Sequence, residues 1–210
     1  MTELGLRERK KQQTRSRIRD AAIRLFAERG FDQVRVAEVA REAEVSEATV
    51  FNYFASKEDL VHDGMADFAD GLVEALRLRP AGESLLSAFR TYVLRPHGLA
   101  EDDRAVARIA TVARIVGDSP TLRARERQVF DRATRALAEL IATENNTRAD
   151  DVESWVIANA LMGVNRALKE LVHSQALAGH SGKRIAQDVL AQGRRALDIL
   201  DEGLARYRTV

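Results

Sequence analysis

Residues 45–60 read VSEATVFNYFASKEDL, setting a hydroxyl cap, an amide, aromatic rings and a lysine close together beside little apolar packing surface. Ser46 suits the N-cap of a short helix reaching about residue 54, its oxygen accepting a free backbone amide of the first turn. Just upstream, Val36, Val39 and Ala40 step at helical period over about residues 36–43, which leaves Glu44-Val45 as a turn. Farther back, Ile18, Ala21, Ala22, Leu25 and Phe26 mark a first helix, with Thr14 as its cap and Gly30 as its stop. Three short helices with so brief a second turn suit a helix-turn-helix, whose last helix enters the DNA major groove. Ala40, Val45, Val50 and Phe54 are available to face the first helix, and Glu47, Thr49, Asn52 and Tyr53 are then left pointing outward.

Charge placement agrees. The chain of 210 residues has a net charge of only +1, from 33 basic and 32 acidic residues. Yet Arg7, Arg9, Lys10, Lys11, Arg15, Arg17 and Arg19 crowd one stretch against the single acid Glu8. Such asymmetry fits either a polyanion contact or a solvated N-terminal tail. Cysteine is absent, so neither a disulfide framework nor a thiolate metal site is available. No apolar run is long enough to cross a bilayer, the N-terminus lacks a secretory signal core, and a cytoplasmic location is expected.

The remaining sequence is helical in period throughout. Ser56-Lys57-Glu58-Asp59 resembles a capping box opening a long helix over about residues 57–78, closed by Pro80-Ala81-Gly82. Further helices are expected at 83–95, closed by Pro96-His97-Gly98; at 102–116, stopped by Gly117; and from Pro120 to about 143. The last two run from the acidic cap-and-box Asp150-Asp151-Val152-Glu153 to about 178 and from Ser181 to about 207, making about nine helices and no strand. An all-α chain is expected, divided into a helix-turn-helix domain at 1–55 and a helical ligand-binding and dimerisation domain at 56–210.

The segment WVIANALMGV, residues 155–164, is apolar nearly all round and needs cover on more than one side. The final helix carries a heptad-like seam. Together they predict a homodimer through a four-helix interface, the alternative being an ordinary core helix pair within a monomer. Its members would be Leu161, Gly163, Val164 and Leu168, with Ile185, Val189, Leu190, Gly193, Leu197, Leu200 and Leu204.

Residues 30–60, GFDQVRVAEVAREAEVSEATVFNYFASKEDL, resemble the DNA-binding segment of the TetR family of bacterial one-component regulators. Gly30-Phe31, Val39-Ala40, Val45-Ser46, Thr49, Phe51, Tyr53-Phe54 and Ser56-Lys57-Glu58 carry the likeness. Three positions depart from the family pattern: Arg35 stands where threonine is usual, Glu44 replaces the turn glycine, and Phe51 replaces the commoner tyrosine. A non-glycine residue at 44 must accept positive φ, or the turn must adjust at some cost.

The resemblance implies phosphate contacts from Arg35, Ser46, Thr49, Tyr53 and Lys57, and base contacts from Glu47, Ala48, Asn52 and Phe51. Asn can bond N6 and N7 of adenine, Glu can accept from cytosine N4, and Ala can touch a thymine methyl. Phe51 sits at the edge of both faces, and a core role and a groove role stay open for it. The resemblance also implies a small-molecule effector, expected to be largely apolar. Its candidate walls are Phe68, Leu72, Phe89, Ile109, Val112, Phe130, Trp155 and Met162, with Tyr92, His97 and Asn159 as polar handles.

No cofactor, metal or membrane partner is expected, and no enzyme. His62, His97, His173 and His180 are scattered without a ligand pair, and no HExxH, phosphate loop or dinucleotide fingerprint occurs. The alternative reading is a basic helical protein that binds membrane surfaces or nucleic acid without sequence preference or ligand response.

Overall fold

The computed structural model describes residues 3–95 and 103–205, and within them nine α-helices and no strand. Pro96, His97 and Gly98 lie outside the described residues, as does the side chain of Leu204. The chain divides into two compact units, Met1–Gly64 with Thr111–Glu126, and Met65–Ala110 with Arg127–Val210. The first unit thus extends past residue 55 and takes in a later segment of chain.

In the first unit α1 (Glu3–Arg29) is one continuous helix. It starts well before Thr14, because Arg, Lys and Gln are good helix formers and no breaker interrupts them. Gly30, at φ +84°, ends it. Then come α2 (Val36–Glu42) and α3 (Glu47–Tyr53), followed by a 3₁₀ turn at Glu58–Leu60. Ile18, Ala22, Phe26, Val39, Val50 and Phe54 form the core, closed by Ile115, Val116 and Leu122 from the later segment. His62 Nε2 donates to the Leu122 carbonyl at 3.0 Å, and Arg125 pairs with Asp59 at 3.0 Å.

The expected single helix over 57–78 is not formed. Ser56 does cap locally, its oxygen accepting from the Asp59 amide at 3.2 Å, but the 3₁₀ turn leads to Gly64 at φ +80°. No α-helix passes through that left-handed residue, so α4 starts afresh at Met65 and runs to Arg77.

The second unit holds α4, α5 (Leu85–Val93), α8 (Val152–Leu177) and α9 (Gly182–Ala205), with parts of α6 (Asp103–Asp118) and α7 (Pro120–Glu144). α6 runs through Gly117 rather than stopping there. Side-chain caps fix two starts: Ser84 accepts from the Ser87 amide, and Asp151 from the Ser154 amide at 2.9 Å. Leu72, Leu76, Phe89, Leu137, Leu161 and Leu197 are fully buried in its main core. At about 1.5–3 kcal/mol each for full burial of such side chains, this cluster outweighs any single polar contact of the unit.

Part of the heptad-like seam faces this core: Gly193 and Leu197 are buried, while Ala186, Leu190 and Leu200 are half-buried. Leu161, Ile185 and Leu197 are each 0 % exposed, and Val164 and Leu168 are buried. Gly193 is closed over by Leu94 and Leu168, so its lack of a side chain serves packing within the chain. Only Gly163, among the expected dimer residues of α8, lies open. Among the described residues, the large apolar side chains that α8 and α9 expose are Val152, Val156, Leu177 and Ile199. A helical period shows that a stripe must be covered; within one chain this stripe is covered in part, with Ala186, Val189, Leu190 and Leu200 half-buried and Ile199 exposed.

Candidate nucleic-acid interface

The turn between α2 and α3 is made by Ala43, Glu44, Val45 and Ser46. Glu44 adopts φ +52°, and the Val45 amide donates to the Ala40 carbonyl at 2.9 Å. Glu44 therefore takes the left-handed conformation that glycine would take more cheaply. Ser46 is extended and accepts from the Thr49 amide at 3.1 Å, which fixes the first turn of α3. Its hydroxyl also bonds that of Thr49 at 2.8 Å. Val50 and Phe54 point inward, at 1 % and 2 % exposure.

With that face buried, Glu47, Ala48, Phe51 and Asn52 form an exposed stripe one turn deep on α3. Phe51 is 49 % exposed, so the fold holds it on the outer side of the helix. Arg35 is exposed at the start of α2. Its side chain caps nothing, and its backbone amide is taken by the Glu38 carboxylate at 2.8 Å. That bond, with the Arg29 guanidinium at 2.7 Å, holds the Glu38 carboxyl below its usual value.

Thr49, Tyr53 and Lys57 are half-buried. Tyr53 packs on the core of the first unit. The Lys57 ammonium donates to the Phe31 carbonyl at 2.5 Å and lies 4.2 Å from the Phe31 ring centroid. Partial burial lowers its pKa. Two hydrogens of the ammonium remain for an outside acceptor. This tie, which crosses 26 positions of sequence, left no signal in the local pattern.

The second unit carries a half-open cavity of about 230 Å³. Of the candidate walls, Phe68 and Phe130 line it. Leu72, Phe89 and Met162 do not, being buried in the core, and Ile109 packs with Ala176 and Ile185. Val112 belongs to the first unit. Trp155 is covered by the Arg135 guanidinium at 5.6 Å, and Asn159, exposed, donates to the Trp155 carbonyl at 2.7 Å. The Tyr92 hydroxyl is already spent on the Phe68 carbonyl at 3.2 Å, and burial raises its pKa. His97 lies outside the described residues.

Leu168, Val189 and Leu190, expected from sequence at a dimer interface, line the cavity. So do Met65, Val93, Leu94, Val172 and Ala186, which sequence reasoning missed. Its polar lining comes from Arg95, Asn165 and Lys169. Among the described residues no cluster of three or more His, Asp or Glu side chains is placed to hold a metal ion. No described helix is long and apolar enough to cross a membrane.

Comparison with known proteins converges on the same segment. Residues 18–63 match the family described as bacterial regulatory proteins, tetR family, and residues 83–205 match the MftR C-terminal domain. The chain is 30 % identical over 151 residues to the transcriptional regulator TcmR of Streptomyces glaucescens, covering 70 % of this chain and 67 % of that one. It is 26 % identical over 166 residues to the mycofactocin biosynthesis regulator MftR of Mycobacterium tuberculosis, described there as putative, covering 74 % and 78 %. Among solved structures, NalD of Pseudomonas aeruginosa, a secondary repressor of an efflux pump, shares the fold with a TM-score of 0.52. That match has 19 % identity and covers 88 % of this chain and 97 % of the other. The chain belongs to the TetR family of bacterial transcriptional regulators.

Proposed function

We propose that the chain binds a palindromic operator as a homodimer and represses from it until a small, largely apolar molecule occupies the cavity of the second unit. The observation that carries this reading is the α3 stripe. Glu47, Ala48, Phe51 and Asn52 are exposed while the opposite face holds the core, so the helix leaves four consecutive-turn side chains without a task in its own fold. Asn52 reads adenine or Glu47 reads cytosine from this position, and Arg35, Ser46, Thr49, Tyr53 and Lys57 meet phosphates around it. Two copies on one twofold axis set the half-sites about 34–36 Å apart, or a multiple of that.

The effector acts only by binding one arrangement of the dimer better than the other, so it weakens DNA binding by the factor that DNA weakens its own. Apolar walls with Arg95, Asn165 and Lys169 as polar groups favour a largely apolar molecule oriented by a few contacts.

Selection of binding sites from random duplex DNA tests the reading. The wild type should recover a palindrome, found beside its own gene, and Asn52→Ala should relax preference at one position of each half-site. An identical consensus from both proteins refutes base reading by Asn52. Recovery of no consensus, with strong binding to anionic vesicles, favours the membrane-surface alternative.

A further inference from the structure

The N-terminal part of α1 extends beyond the core that the rest of the helix builds. Ile18 is its first fully buried side chain, while Gly5 and residues 7–13 are exposed. At about 1.5 Å per residue, Arg7 stands roughly 16 Å beyond Ile18 along the axis. Local bonds support this stretch: Arg9 to the Gly5 carbonyl at 3.2 Å and Gln12 to Glu8 at 3.2 Å.

Its charges oppose one another. Arg7 and Lys11 are four apart and Arg7 and Lys10 three apart, spacings at which like charges on a helix repel. Of the seven cations in this segment, Arg15 and Arg19 are committed to Asp63, at 2.7 Å and 3.1 Å. Arg7, Arg9, Lys10, Lys11 and Arg17 are exposed, with Glu8 as the one acid between positions 7 and 19. A self-repelling cationic rod with no core beneath it is relieved by a polyanion laid along it.

The root of the rod says which polyanion. The Arg15 guanidinium lies 5.3 Å from the ring centroid of Phe54, the residue that ends α3. The extension therefore leaves the unit beside the end of the helix that carries the exposed stripe. The geometry points to a second DNA-contacting element: the helical extension of α1 neutralises backbone phosphates outside the base pairs that α3 reaches. This rests on the operator-binding reading above and adds to it a longer footprint, contributed by an element with no sequence preference.

The test uses the full chain with Arg7, Arg9, Lys10 and Lys11 all changed to Gln, substitutions that preserve helix propensity and touch no buried residue. Its melting temperature should match the wild type. On the selected site within a long duplex, the slope of log affinity against log salt should be shallower by about 3.6, for two phosphates per arm and two arms. Wild-type affinity then falls roughly a hundredfold more than the variant's between 50 and 200 mM salt. Trimming the duplex to the two half-sites should weaken the wild type and leave the variant unchanged.

Equal slopes and equal responses to trimming, with a folded variant and a recovered site, overturn the inference and leave the regulator reading standing. Failure of the wild type to recover any site overturns both. Unchanged slopes with lost binding to phosphatidylserine vesicles would give the rod to a membrane and overturn its DNA role.

Discussion

Glu44 bears the strain of the turn that aims α3. A left-handed conformation costs a non-glycine residue about 1–2 kcal/mol, and glycine recovers that less its own entropy loss of about 0.5–1 kcal/mol. Glu44→Gly should therefore stabilise the first unit by about 0.5–1 kcal/mol, seen as a higher urea midpoint with an unchanged slope. A lowered midpoint would show that the Glu44 side chain repays its backbone. Lys57 is tied to its own fold through Phe31, and the proposed interface gives it a phosphate as well. Lys57→Ala should weaken all duplexes about equally and flatten the salt slope by about 1 per protomer. It should also cost about 1 kcal/mol of stability, because the Phe31 carbonyl loses its donor and the aromatic rings their cation. The Ser46 cap and the strained Glu44 were legible in the sequence because turn chemistry is local. The second duty of Lys57 was not, because its partner is brought to it only by the tertiary fold.

Among the elements, α4 and α7 are joined near their ends by Arg79 and Glu144, which meet in a two-bonded pair at 2.6 and 2.7 Å. The Arg79 guanidinium holds the Glu144 carboxyl below its ordinary 4.5. A lowered folded-state pKa means that the pair's stabilisation is complete above about 4.5 and is lost as pH falls through the depressed value. Glu144→Gln should accordingly lower stability at neutral pH and flatten its decline below pH 4.5, measured by denaturant unfolding at stepped pH. Because the carboxylate is 34 % exposed, solvent screening keeps the effect small. The same region shows where periodicity misleads. Apolar spacing over residues 57–78 continues through Gly64, and one residue at φ +80° divides what the pattern joins. The helix start within Asp150-Asp151 was readable, because a cap is a bond between neighbours.

At the scale of the whole molecule, an amphipathic stripe tells how much surface a helix hides and not which chain hides it. Leu161, Leu168, Ile185 and Leu197 are hidden by their own unit, whereas Val189 and Leu190 stay half-buried along the cleft they line. The pairing face proposed for the dimer therefore moves to the outer side of α8 and α9, where Val156, Gly163 and Ile199 are exposed. A Cβ at Gly163 meets no atom within 4 Å, so a long side chain fits the protomer and obstructs a partner. Gly163→Arg should leave the melting profile of the protomer intact and shift sedimentation from dimer to monomer. It should also cost most of the affinity for a palindrome while sparing weak binding to a single half-site. An unchanged sedimentation profile would place the twofold contact elsewhere.

Ile115, Val116 and Leu122, all buried, complete the core of a unit whose other members end at Gly64. The reading head is consequently not a cassette that can be cut from the front of the gene. A fragment of residues 1–64 would bare the apolar surface these three side chains cover and should aggregate or stay unfolded, and chimaeras that swap heads between relatives should work only when residues 111–126 travel with them.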